Sequence, residues 1–165
     1  MNDCKSFKPS IDNNSTILIL GSMPGVKSQK EHQYYAHPQN RFWKVMGHIC
    51  QNQKLHELSY KEKLETLLYN KLALWDTIKS CKRDGSLDSN ILNVIPNDIR
   101  GLLKDYPNIK TICLNGHKSY STFKKYFPDL LETYDCYKMP STSPANAKFS
   151  LDKLFEEWEA GIKYF

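Results

Sequence analysis

The sequence predicts an α/β fold: a three-layer α/β/α sandwich built on a central, mainly parallel sheet of four strands. Three observations lead to it. Four short segments, at 16–20, 72–75, 109–114 and 134–139, read as strands, the first two as buried apolar runs. The segments between them carry apolar residues at helical spacing. Strands that alternate with helices in this way form a parallel sheet covered on both faces.

Each element has its own signal. The first strand, T-I-L-I-L, stops at Gly21, Pro24 and Gly25, which force a loop. Residues 26–36 are polar and read as loop. Pro38 suits the first turn of a helix running to about Cys50, with Phe42, Val45, Met46 and Ile49 as its apolar stripe. Ser59 and Glu62 have the spacing of a capping box ahead of Leu64, Leu67 and Leu68. The strand at 72–75 ends at Asp76, and 77–96 reads as a long loop turning at Lys82-Arg83-Asp84-Gly85. Asn97-Asp98 can cap a helix with Ile99, Leu102 and Leu103. After the third strand and Asn115-Gly116 comes a helix with Tyr120, Phe123 and Phe127, broken at Pro128. Pro140 opens a loop after the fourth strand, and Leu151, Leu154, Phe155, Trp158 and Ile162 stripe a final helix. The whole of 1–165 is expected to be a single domain, with 1–15 a loose N-terminal arm.

Composition narrows the function classes. At 165 residues there is room for one good core. No apolar run approaches the ~20 residues of a membrane span, and the first ten residues lack the apolar segment of a secretory signal, so an intracellular protein is expected, cytoplasmic in a prokaryote. The net charge of +5 comes mainly from lysines, which suit loose phosphate contacts better than planar base reading; a Lys-rich surface serves solubility equally well. Cys4, Cys50, Cys81, Cys113 and Cys136 are scattered and form no C-x-x-C pair, a pattern of reducing compartments. His32 and His37 lack a third ligand. No metal, iron–sulfur cluster or other cofactor is expected.

In an open parallel sheet, ligands bind beyond the carboxyl ends of the strands. Those exits are 21–25, 75–77, 115–117 and 141–147, and Asn40 can reach the same edge from the start of its helix. The motif G-S-M-P-G at 21–25, followed by A-H-P-Q-N-R-F-W-K-V at 36–45 and P-S-T-S-P-A-N-A at 140–147, resembles the uracil-DNA glycosylase superfamily. The similarity is greatest to the hypoxanthine-DNA (deoxyinosine) glycosylase branch, with likeness to the mismatch-specific uracil/thymine enzymes.

The resemblance implies a monofunctional DNA glycosylase of base excision repair, acting on DNA that carries a deaminated base, most of all hypoxanthine, and working as a monomer. Relatives in other branches keep Asp, Glu or Asn where this chain has Met23, and uracil-specific relatives keep His where it has Ser141. The hypoxanthine branch relies instead on the Asn of its H-P-x-N-R-F-W segment, which here is Asn40, the expected catalytic group. Its carboxamide both donates and accepts, so it can hold water or polarise the leaving base; equally, it can cap a helix. Gly21, Ser22 and Met23 are expected to line the base site. Phe42 either stacks on the base or packs in the core, and Asn115 either reads the base edge or forms a turn. Ser141, Thr142 and Ser143 are candidate phosphate contacts, with Ala145 and Asn146 near the minor groove, and Lys148 and the Lys82-Arg83 pair on the backbone. Asp76 is a general base or a tie for loop backbone. The rival functions are a uracil or G:U-mismatch glycosylase, a non-catalytic binder of damaged bases, and an unrelated nucleotide-binding α/β protein.

Overall fold

A computed structural model describes residues 2–163. Its centre is a parallel sheet in the order β3-β2-β6-β7: Leu72–Asp76 (β3), Ile17–Gly21 (β2), Thr111–Asn115 (β6) and Asp135–Met139 (β7). The chain leaves β2 first for the β3 side and later for the β6 side, so the direction of winding reverses next to β2. That is where an open sheet forms a crevice.

Alternation along β2 explains the layers. Ile17 and Ile19 join a cluster containing Phe42, Trp43, Val45, Met46, Leu67, Leu154 and Trp158. These come from Phe42–Ile49 (α2), Tyr60–Tyr69 (α3) and Leu151–Lys163 (α7). Leu18 and Leu20 point the other way, onto Ile99, Leu102, Leu103, Phe123 and Leu130. Those belong to Ile99–Asp105 (α4), His117–Tyr126 (α5) and Pro128–Thr133 (α6). With every side chain of β2 buried, each fully covered Ile or Leu contributes ~1.5–3 kcal/mol. The expected sandwich is therefore present, and local signals hold: Ser59 accepts from the N–H of Glu62 while the Glu62 carboxylate accepts from the N–H of Ser59, both at 3.2 Å.

Three expectations need correction. Residues 77–96 are not a loop but a hairpin, Ile78–Arg83 (β4) and Leu92–Pro96 (β5), which with Asn2–Lys5 (β1) makes a second, antiparallel sheet of order β1-β4-β5. Its register slips twice, between Ile78 and Ser80 and again before Lys82, so the buried positions are Ile78, Cys81 and Arg83. No period of two survives in the sequence. The N-terminal arm is not loose. Asn2–Lys5 forms β1 on β4, Ser10 exchanges both backbone hydrogen bonds with Leu74 at 2.9 Å, and the Tyr34 hydroxyl donates to the Lys8 carbonyl at 2.7 Å. Finally, the polar stretch after Gly25 contains a short helix, Val26–Glu31 (α1), and α2 begins at Phe42 rather than Pro38.

Candidate active site

The carboxyl ends of β2, β3, β6 and β7 open into one cavity of about 1220 Å³. Its lining includes Gly21, Ser22, Met23, Tyr35, Asn40, Asp76, Asp88, Asn115 and Ser141. Gly21 is the last residue of β2, and its missing side chain shapes the floor. A Cβ there would lie 2.6 Å from Asp76 Oδ1 and 2.9 Å from the Tyr35 hydroxyl, so glycine lets a carboxyl and a phenol meet over the strand end. The loop that follows is pinned on both sides. Gly21 and Ser22 accept backbone N–H groups from Thr77 and Ile78 at 2.8 and 3.2 Å, and the Ser22 hydroxyl donates to Asp88 Oδ1 at 2.7 Å. Met23 is buried on Cys4, Ile78, Cys81 and Ile91, one flank of its side chain forming cavity wall.

Asn40 sits in the turn before α2. Its Oδ1 accepts the Phe42 N–H at 2.9 Å, and its own N–H donates to the His37 carbonyl at 2.9 Å. The carboxamide thus satisfies the first N–H of α2 from one residue ahead of the N-cap, Arg41, and only through its oxygen. Among the described residues its NH₂ end has no acceptor, and the residue borders the cavity. Both readings of this position meet in one side chain: a capped oxygen fixes the orientation of a free pair of donors.

Asp76 is buried (3% exposed), and its Oδ2 has no hydrogen-bond partner among the described residues. Burial, reinforced by the charge of Asp88 and opposed by that of Arg83, raises its pKa from 3.8 to about 7. Arg83 is itself buried, donating from Nη2 to the Pro24 carbonyl, with Nε and Nη1 unpartnered. It lies beneath the β2 loop rather than on a backbone-facing surface. Burial, with the charge of Asp76 second, also holds the Tyr35 hydroxyl in its neutral form.

A family profile described as the Uracil DNA glycosylase superfamily matches residues 9–162. The chain belongs to that superfamily. Its members are DNA glycosylases, hydrolases of N-glycosyl bonds. Two curated relatives are named Hypoxanthine DNA glycosylase. One, from Methanosarcina acetivorans, is 38% identical over 161 residues, 97% of this chain and 98% of its own. The other, from Methanosarcina barkeri, is 40% identical over 161 residues, 96% of this chain and 98% of its own. A solution NMR structure of a candidate uracil DNA glycosylase from M. acetivorans superimposes with a TM-score of 0.83 at 39% identity, covering 96% of each chain.

In this glycosylase fold several expected site residues take other positions. Phe42 is fully buried between Tyr35, Trp43 and Trp158, its ring stacked on Tyr35 with centroids 3.8 Å apart. Tyr35 therefore presents the aromatic face to the cavity, and Phe42 backs it from the core. Asn115 is occupied as well. Its Nδ2 donates to the Tyr35 hydroxyl (3.2 Å) and to Thr142 Oγ1 (3.1 Å), and its Oδ1 accepts the Thr142 N–H (3.1 Å). It latches β6 to the 140–147 loop. Thr142 is buried by that latch and is no surface phosphate contact. Ser141 and Ser143 border the cavity, their oxygens accepting the N–H groups of Ser143 and Ala145, which leaves each O–H free to donate. Asn146 turns its amide inward to the Ser141 carbonyl at 3.0 Å. Ala145 and Lys148 are exposed, and Ala145 borders the cavity.

Arg41 has a positioning role that the sequence did not reveal. Its guanidinium donates to the carbonyls of Thr142, Ser143, Asn146 and Phe149, and its backbone N–H donates to Thr142 O at 3.1 Å. One planar fork thus holds the whole second loop against the segment that carries Asn40. Among the described residues no group of three or more His, Cys, Asp or Glu could hold a metal ion, and no helix is long and apolar enough to cross a membrane.

Proposed function

We propose that this chain is a monofunctional DNA glycosylase that hydrolyses the bond between hypoxanthine and deoxyribose in deoxyinosine, with Asn40 as its catalytic residue. The observation that carries this reading is the half-occupied carboxamide: Phe42 N–H fixes the oxygen, and the NH₂ donors stay free at the cavity edge. The two relatives named Hypoxanthine DNA glycosylase support the choice of base.

The chemistry follows from that polarity. As the C1′–N9 bond breaks, the sugar gains positive charge and the purine leaves with negative charge. An Asn40 N–H donating to an acceptor atom of the departing base stabilises that charge, and a preorganised donor of this kind is worth ~2.7–4 kcal/mol. Water adds its oxygen to C1′ and gives up a proton, and the base takes a proton at nitrogen, so free hypoxanthine and an abasic site result. Tyr35 supplies the ring against which the extruded base lies, and Met23 the apolar wall beside it. Ser141, Ser143 and the exposed Lys148 address the phosphates. The proposed enzyme is a monomer that acts inside the cell on genomic DNA.

Duplexes containing one deoxyinosine, deoxyuridine or deoxyxanthosine, treated with the protein and then alkali and sized on a gel, test the reading. Cleavage at deoxyinosine is expected, and Asn40→Ala should slow it ~10²–10³-fold. Tight binding with intact deoxyinosine strands would make the protein a binder instead. An Asn40→Ala variant as fast as the parent would remove Asn40 from the reaction.

A further inference from the structure

Five large hydrophobic side chains stand exposed among the described residues, and two of them border the active-site cavity: Val26, 44% exposed, and Leu87, 53% exposed. They stand on the same rim. Leu87 lies at the tip of the β4–β5 hairpin, and Val26 opens α1. The tip is anchored. Ser86 Oγ accepts the Val26 N–H at 2.9 Å, Asp88 Oδ1 accepts the Ser22 hydroxyl at 2.7 Å, and Asn90 Nδ2 donates to the Asp84 carbonyl at 3.3 Å. Leu87 is thus an apolar side chain held out in water between two fixed neighbours.

Another part of the rim has the opposite chemistry. Lys118, Lys138, Ser141 and Ser143 border it with cations and hydroxyls. The 140–147 loop carries no large aliphatic side chain, only proline and alanine. A base that leaves the duplex must be replaced in the stack, and apolar side chains such as Leu serve as wedges between base steps. The apolar rim matches the stacked bases, and the cationic and hydroxyl rim matches the sugar–phosphate backbone.

We propose that Leu87, flanked by Val26, is the wedge that enters the base stack as the target nucleotide is extruded. This rests on the reading of the chain as an enzyme for a flipped base. The wedge contributes only where there is pairing and stacking to offset, so its loss should be felt on paired DNA and not on unpaired DNA.

The full chain and its Leu87→Ala and Leu87→Phe variants should be compared in single-turnover excision on two substrates. One is a duplex with deoxyinosine opposite dC, and the other is the same strand with the deoxyinosine opposite an abasic gap. Leu87→Ala is expected to lose about 10- to 100-fold on the paired substrate and less than about threefold on the gapped one, because the unpairing cost is absent there. Leu87→Phe should recover most of the rate. In parallel, 2-aminopurine placed beside a non-cleavable deoxyinosine analogue should brighten with saturating parent and not with Leu87→Ala. Equal losses on both substrates, no loss on the paired one, or undiminished brightening by Leu87→Ala would overturn the wedge. A parent that brightens the probe yet leaves deoxyinosine uncut in both formats would overturn the glycosylase reading and leave the wedge standing.

Discussion

Replacing Asp76 by Asn should make the protein more stable at pH 8 and remove most of its dependence on pH between 4 and 8. In the folded chain the carboxyl is buried, Oδ2 has no partner among the described residues, and its pKa stands at about 7 against 3.8 for the free side chain. Between those values the folded state holds a proton that the unfolded chain has released. Folded Asp76 therefore favours low pH, and stability falls as pH rises from about 4 to about 7. At about 1.36 kcal/mol per pH unit the full loss is about 4 kcal/mol. The Asp76→Asn variant avoids that loss but buries an amide with an imperfect set of partners, which costs ~1–2 kcal/mol. The net gain at pH 8 is then about 2–3 kcal/mol, or roughly 4–12 °C in Tm for a chain of this length.

Urea melts of parent and variant at half-unit pH steps measure this directly. The parent's unfolding free energy should slope downward through pH 5–7 and the variant's should stay level, with the two close together near pH 4.5. Excision should follow the same group. Once ionised, the Asp76 carboxylate repels a base leaving with negative charge, so the parent's rate falls across pH 7 and the variant's does not. Parallel stability curves, or a variant less stable than the parent at pH 8, would refute the claim that Asp76 carries a proton into the folded state.

Other perturbations test the scaffold around it. Arg83 opposes the rise in the Asp76 pKa, so Arg83→Met should move the midpoint of that pH-dependent loss to higher pH, as read from the same melts. Arg41→Ala frees four loop carbonyls; amide exchange should quicken across residues 142–149, and the loss in excision should appear more in KM than in kcat. Asn115→Ala removes three hydrogen bonds and should cost ~2–3 kcal/mol in urea melts. It should leave the ratio of deoxyinosine to deoxyuridine excision unchanged; a changed ratio would return Asn115 to the role of base reader.

The sheet was legible because its signals are local. Ile17 to Leu20 are apolar on both faces, and Ser59 and Glu62 complete their reciprocal cap within one turn. The β4–β5 hairpin was not legible, since two register slips erase the alternation and a buried arginine stands where an aliphatic residue would be expected. The arm at 2–10 is polar in sequence, and only its partners at 74 and on β4 make it a strand.

At the site the motifs gathered segments that line one cavity, but not the atoms that face it. Asn40, Phe42 and Asn115 all sit in the crevice region, yet Phe42 N–H occupies one end of the Asn40 amide, Thr142 and Tyr35 engage both ends of the Asn115 amide, and Tyr35 displaces Phe42 from the cavity surface. Tyr35 does so from a left-handed backbone, φ 54°, a conformation that a tyrosine in a polar stretch gives no reason to expect. Which end of a carboxamide remains free depends on contacts up to 80 residues away, as in the Asn115 amide that donates to the Tyr35 hydroxyl. A free donor and a spent one look identical in sequence, although only the first can stabilise a leaving base, so in this fold the donors a motif can offer are set by tertiary hydrogen bonding around it rather than by the motif alone.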